Sequence, residues 1–143
     1  HITRPATHGQ VRAMSAALAD AHLAAQEIDY INAHGTATPV GDVVETQAIR
    51  QVFGAHASCV AVSSTKSMHG HLMGATGAVE FAAAVLAIRH QAIPPTAHLR
   101  VADPDCDLDY VANAGRHDVK VRAVMSNAFA FGGSNAVLIA RAV

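Results

Sequence analysis

The stretch Ile28-Asp29-Tyr30-Ile31-Asn32-Ala33-His34-Gly35-Thr36-Ala37-Thr38-Pro39-Val40-Gly41-Asp42, with the periodic run that follows it to Phe53, decides the fold. Its front, Ile28 to Asn32, reads as a short strand that ends at Ala33-His34-Gly35. Beyond the loop, Val44, Ala48, Ile49 and Val52 lie on one side of a helix over 41–53, and Gly54 stops it. A strand, a small-residue loop and a helix make one unit of a layered α/β sheet.

Working outward, the unit repeats. Upstream, Val11, Met14, Leu18 and Ala21 predict a helix from Gly9 to Ala25. Downstream, a β-rich stretch from Cys59 to Val62 leads into a polar loop, Ser63 to Gly70. A helix from Gly77 to His90 follows. It is apolar nearly all round (Val79, Phe81, Val85, Leu86, Ile88), so it is expected to be buried, and Pro94-Pro95 ends it. Thr96 to Lys120 reads as loop, with a short strand at Leu108 to Val111. Two strands, Val121 to Met125 and Ala136 to Ala140, join through a Gly132-Gly133 turn. The αβαβαββ pattern predicts the α/β class: one domain over 1–143, a mixed sheet packed by helices.

Composition narrows the function. The chain has 143 residues, enough for a real core, and 51% of them are hydrophobic against 15% charged. That apolar balance predicts a face covered by another domain or subunit. A net charge of −1 excludes a nucleic-acid footprint. The absence of a long apolar run or a signal peptide predicts a cytoplasmic protein with no membrane span. Cys59 and Cys106 lie far apart with no CxxC pattern and are expected as ordinary reduced thiols.

Three strand-end junctions carry chemistry, where ligands of open α/β sheets gather. In the first, His34 before Gly35 can approach a ligand closely, and Thr36 and Thr38 offer hydroxyls; a polar turn capping the next helix would use the same residues. The second is Ser63-Ser64-Thr65-Lys66-Ser67-Met68-His69-Gly70-His71-Leu72-Met73-Gly74-Ala75. It opens a helix, and free N–H groups there suit an anion. A His69-x-His71 metal pair is conceivable, but no companion stands at ligand spacing, so no metal is expected. The third is Asn127-Ala128-Phe129-Ala130-Phe131-Gly132-Gly133-Ser134-Asn135. Gly-Gly permits close backbone approach, and the two phenylalanines either gate a pocket or fill a hairpin core.

In this order, the three loops resemble the second half of a β-ketoacyl-[acyl-carrier-protein] synthase of the elongating type II kind, over essentially the whole chain. The resemblance implies the thiolase-like fold, with this chain as its C-terminal half, and a homodimer in the full-length form. It implies decarboxylative Claisen condensation of acyl and malonyl groups on acyl carrier protein, in fatty-acid or polyketide synthesis. His34 and His71 match the histidines that serve decarboxylation. Two Nε–H donors there would stabilise the enolate oxygen, and one such donor is typically worth about 3 kcal/mol. Lys66 matches the family's lysine and Glu80 its acidic partner, as organisers of the site's electrostatics; a buried structural ion pair uses the same positions. Thr36 and Thr38 match the hydroxyls that hold the phosphopantetheine arm. That arm comes on the acyl carrier protein, so no cofactor is expected in the chain itself. Phe131 matches the gatekeeper, whose backbone N–H also helps bind the acyl oxyanion, and Phe129 is its neighbour.

The remaining histidines are expected to play no part: His69 as a loop side chain, and His1, His8, His22, His56, His90, His98 and His117 at the surface. Ala130 replaces a usual glycine and would restrict the loop if that position needs positive φ; Ser134 for threonine is a mild change. Neither cysteine matches the family's nucleophile. That residue is expected upstream, in the chain's own N-terminal half, and the opening strand of the second half is expected just ahead of these residues. The rival readings are a non-catalytic partner of the chain-length-factor type and a carrier-protein-binding fragment. A thiolase-type enzyme that condenses without decarboxylation fits the Lys66-to-His71 loop less well.

Overall fold

Tyr30, Ile31 and Asn32 are completely buried, and the rest of the molecule is built around that short strand. In the computed structural model, which describes residues 2–143, the chain runs α1 (Thr7–Ala21), β1 (Tyr30–Asn32), α2 (Gly41–Phe53), β2 (Ala61–Ser63), α3 (Lys66–His69), α4 (Thr76–His90), β3 (Ala123–Phe129) and β4 (Asn135–Arg141). His1, expected at the surface, lies outside the described residues. The strands form one sheet in the order β2-β1-β3-β4. β1 is parallel to both neighbours, and β4 runs antiparallel to β3, which makes the mixed sheet the sequence predicts.

The period of two in β1 divides the core. Ile31 faces a cluster with Met14, Leu18, Ile49, Phe53 and Val62, between the sheet and helices α1 and α2. Tyr30 faces the other way, with Ala84, Ala87, Val121 and Val124, towards α4. Each fully buried aliphatic or aromatic side chain contributes about 1.5–3 kcal/mol relative to exposure, so these two layers dominate the stability. The Asp29 carboxylate accepts the backbone N–H groups of Arg122 and Ala123, which starts β3 beside β1.

Several boundaries differ from expectation. α1 covers Thr7–Ala21, not Gly9 to Ala25, because His22 turns left-handed (φ 53°) and its N–H closes on the carbonyls of Leu18 and Ala19. The loop expected from Ser63 to Gly70 contains the single-turn helix α3. Residues 108–111 make no strand, only a bridge in which Val62 N–H donates to Asp109 O. The final hairpin is longer at its turn end, from Ala123 to Arg141.

The largest correction concerns α4. It is not buried all round: Thr76, Glu80, Ala84 and Ala87 face the sheet, while Val79, Val85 and Leu86 are 39%, 40% and 48% exposed. One sheet can cover only one stripe of a helix, and nothing in the described chain packs on the other. His56 is likewise not a plain surface residue, since its ring stacks on Phe53 and its Nε2 lies 3.3 Å from the Ile28 carbonyl. No helix among the described residues is long and apolar enough to cross a membrane.

Candidate active site

The ends of β1 and β2 and the tip of the β3–β4 hairpin deliver the three loops to one place. The His34 and His71 rings meet edge to face, with centroids 5.7 Å apart and planes at 86°. Phe129 flanks them, 5.8 Å from the His34 ring. Lys66, on α3, is buried and puts Nζ 2.5 Å from Glu80 Oε1 on α4; Glu80 Oε2 has no hydrogen-bond partner among the described residues. The two threonine hydroxyls lie 3.4 Å apart, and Thr38 Oγ1 also accepts the Gly41 N–H at the start of α2. Phe131 is 72% exposed at the hairpin tip.

The proton on His71 can be placed from geometry. The Met73 backbone N–H, which can only donate, points at His71 Nδ1 at 3.2 Å, and Thr76 Oγ1 lies 2.9 Å from the same nitrogen. Nδ1 is therefore an acceptor, and the ring hydrogen sits on Nε2. His34 is kept uncharged in another way. Burial, then the nearby Lys66 and His71, push its pKa from 6.5 down to about 4. The unfolded chain binds this proton below about 6.5 and the folded one only below about 4, so between those values acid favours unfolding. Ring-proton NMR should place the His34 midpoint near 4, and a midpoint near 6.5 would contradict this burial.

Sequence reasoning missed the residue that fixes the His34 turn. Glu45, on α2, is 4% exposed. Its Oε1 accepts the His34 N–H at 2.9 Å and Asn127 Nδ2 at 3.1 Å, and its Oε2 accepts the Gly35 N–H at 2.9 Å. Leaving such buried donors without an acceptor costs about 1–3 kcal/mol each. The signal was present: Glu45 falls three and four residues before Ala48 and Ile49, so it lies on the apolar side of α2. Ser64 binds the two loops together by donating to the Gly35 carbonyl at 2.7 Å. Gly35 itself, at φ 36°, leaves no room for a side chain, because a Cβ would come within 2.6 Å of Ser64 Cβ.

Ala130 carries no strain. Its backbone is extended (φ −132°), and positive φ falls on Gly132 and Gly133 instead. A cavity of about 410 Å³ is lined by Thr36, Ser64, Lys66, His71, Cys106 and Tyr110. Cys106 is a free thiol whose pKa burial pushes up, the reverse of an activated nucleophile; Cys59 is free and exposed.

The family description "Beta-ketoacyl synthase, C-terminal domain" matches residues 1–100. The chain is 56% identical over 138 residues to nodulation protein E of Rhizobium meliloti, an alignment covering 96% of this chain and 34% of that protein. It is 50% identical over 141 residues to 3-oxoacyl-[acyl-carrier-protein] synthase 2 of Coxiella burnetii, covering 97% of this chain and 34% of that one. The structure of the ishigamide ketosynthase/chain length factor superposes with a TM-score of 0.95 at 44% identity, over 100% of this chain and 35% of its own. The chain thus spans about a third of the length of the curated relatives it matches. It belongs to the β-ketoacyl synthase family, whose C-terminal domain it carries in the thiolase-like fold.

Proposed function

We propose that this chain supplies the decarboxylating half of a condensing site, acting on malonyl and acyl groups carried by acyl carrier protein. The observation that carries the reading is the perpendicular His34–His71 pair at 5.7 Å, with the Lys66–Glu80 ion pair behind it. When a malonyl thioester loses carbon dioxide, the electrons of the breaking carbon–carbon bond move to the thioester as an enolate. The His71 Nε2–H aims a fixed donor at the oxygen where that charge grows, and His34 supplies the second. The enolate carbon then attacks an acyl thioester, and the sulfur that held the acyl group leaves as thiolate. That sulfur belongs to a cysteine outside these residues, since neither Cys59 nor Cys106 fits the role.

Thr36, which lines the cavity, and Thr38 beside it offer their hydroxyls to the phosphopantetheine arm, and the chain needs no cofactor of its own. Phe131, exposed on the hairpin, gates entry and lends its backbone N–H to the acyl oxyanion. The apolar stripe of Val79, Val85 and Leu86 is covered by the protein's own N-terminal half, and the full-length form is a homodimer working in the cytoplasm. The chain-length-factor reading is weaker, because His34, Lys66 and His71 are all present and brought together.

The test uses the full-length protein with acyl- and malonyl-acyl carrier protein. It should release carbon dioxide and form the 3-oxoacyl carrier protein, whereas the 143 residues alone should form none. Absence of both products from the full-length protein would overturn the reading, as would turnover by the isolated segment.

A further inference from the structure

His69 differs from a free loop side chain in that both of its ring nitrogens are engaged. Nδ1 lies 2.7 Å from the Gly70 carbonyl oxygen and Nε2 lies 3.2 Å from Thr65 Oγ1. A carbonyl only accepts, so the ring hydrogen sits on Nδ1, and Nε2 is left as a lone pair. The Thr65 hydroxyl must then donate to it, which uses its single proton. Thr65 Oγ1 in turn accepts from Asn32 Nδ2 at 3.2 Å, and the opposite arrangement, Thr65 donating to Asn32 Oδ1, is longer at 3.5 Å. Every bond in the series Asn32, Thr65, His69, Gly70 therefore points the same way, with its direction set by the last carbonyl.

The two ends of this series matter. Asn32 closes β1, two residues before His34, and its amide also donates to the Glu80 carbonyl at 3.4 Å. Gly70 immediately precedes His71. Its φ of 77° is one that only glycine adopts readily, and open space surrounds it, so the turn needs a glycine for conformation and not for room. Glu80, paired with Lys66, feels the charges of both His69 and His71.

We propose that His69 is a positioning residue, which clamps the Gly70-His71 turn to the strand end carrying His34 and so holds the two rings in register. Its effect on turnover rests on the function proposed above; the clamp itself does not. The two neighbouring histidines carry opposite tautomers, Nδ1–H at His69 and Nε2–H at His71.

Long-range proton–nitrogen NMR of the full-length protein reads both tautomers directly, and an Nε2–H ring at His69 would overturn the proposal. Three substitutions separate a bridge from a local brace. H69N restores a donor near Gly70 but cannot reach Thr65; H69Q restores an acceptor near Thr65 but cannot reach Gly70; H69A restores neither. A bridge needs both ends, so all three should lower kcat for malonyl decarboxylation about tenfold, with KM little changed. T65V should do the same, and T65V/H69A should be no worse than either single change. Full activity in H69N would reduce His69 to a brace of its own turn and sink the clamp. If the unsubstituted protein does not decarboxylate, the function falls, and the clamp is then judged by His71 ring resonances. These should shift in both H69N and H69Q, and unmoved resonances would overturn it.

Discussion

Replacing His71 with alanine in the full-length protein should slow carbon dioxide release from malonyl-acyl carrier protein by about 10²–10³-fold, the usual effect of removing one preorganised oxyanion donor. The expectation follows from how firmly that donor is aimed. Met73 N–H and Thr76 Oγ1 both face Nδ1, so the ring can neither switch tautomer nor turn without leaving a backbone N–H unpaired. His69 cannot take its place, because its ring hydrogen is directed at the Gly70 carbonyl. Loading of the acyl group should survive, since the proposed mechanism gives that step to a separate cysteine. A single-turnover measurement separates the steps: normal acyl transfer with little carbon dioxide release is the expected result. Near-normal release would remove His71 from the mechanism.

The second large effect is on stability. Lys66→Met should destabilise the full-length protein by about 3–5 kcal/mol, because it leaves the Glu80 carboxylate buried without its counter-charge. The side chains of the pair are only 5% and 0% exposed. Burial already raises the Glu80 pKa, against the pull of Lys66, so without the lysine the group would take up a proton. The sign follows from linkage. A carboxyl whose folded pKa lies above its unfolded value favours the folded state at low pH, and that contribution is lost as pH rises through the folded pKa. The deficit of the variant should therefore be greatest at alkaline pH and shrink on acidification. K66M/E80Q should recover most of it. Urea denaturation at several pH values checks this, and a pH-independent deficit would mean the loss is one of packing and not of charge.

Much of the fold was legible because its punctuation was plain. Gly41 and Gly54 bracket α2, and the expected bounds are the observed ones. α1 was placed too far downstream because its terminator is His22 in a left-handed conformation, a task that sequence reasoning assigns to glycine. α3 is a single turn, too short to show any period. The burial of α4 was misjudged because hydrophobic pattern reports what a helix is suited to meet and not what the described chain provides. At the site, the structure brings His34, His71 and Phe129 together and pairs Lys66 with Glu80, while Phe131 is exposed at the hairpin tip. His69 and His71 lie two residues apart, and the atoms facing each ring nitrogen tell them apart. Glu45 could have been found by asking why an acid occupies the inward face of a helix.

The extended backbone at Ala130 bears on how the hairpin tip could be watched. An exposed position with ordinary dihedrals accepts any side chain, while the two glycines beyond it hold the bend. A fluorophore or spin label attached there would ride on the loop bearing Phe131 without altering the turn that carries it, turning a departure from the family pattern into a vantage point on that loop.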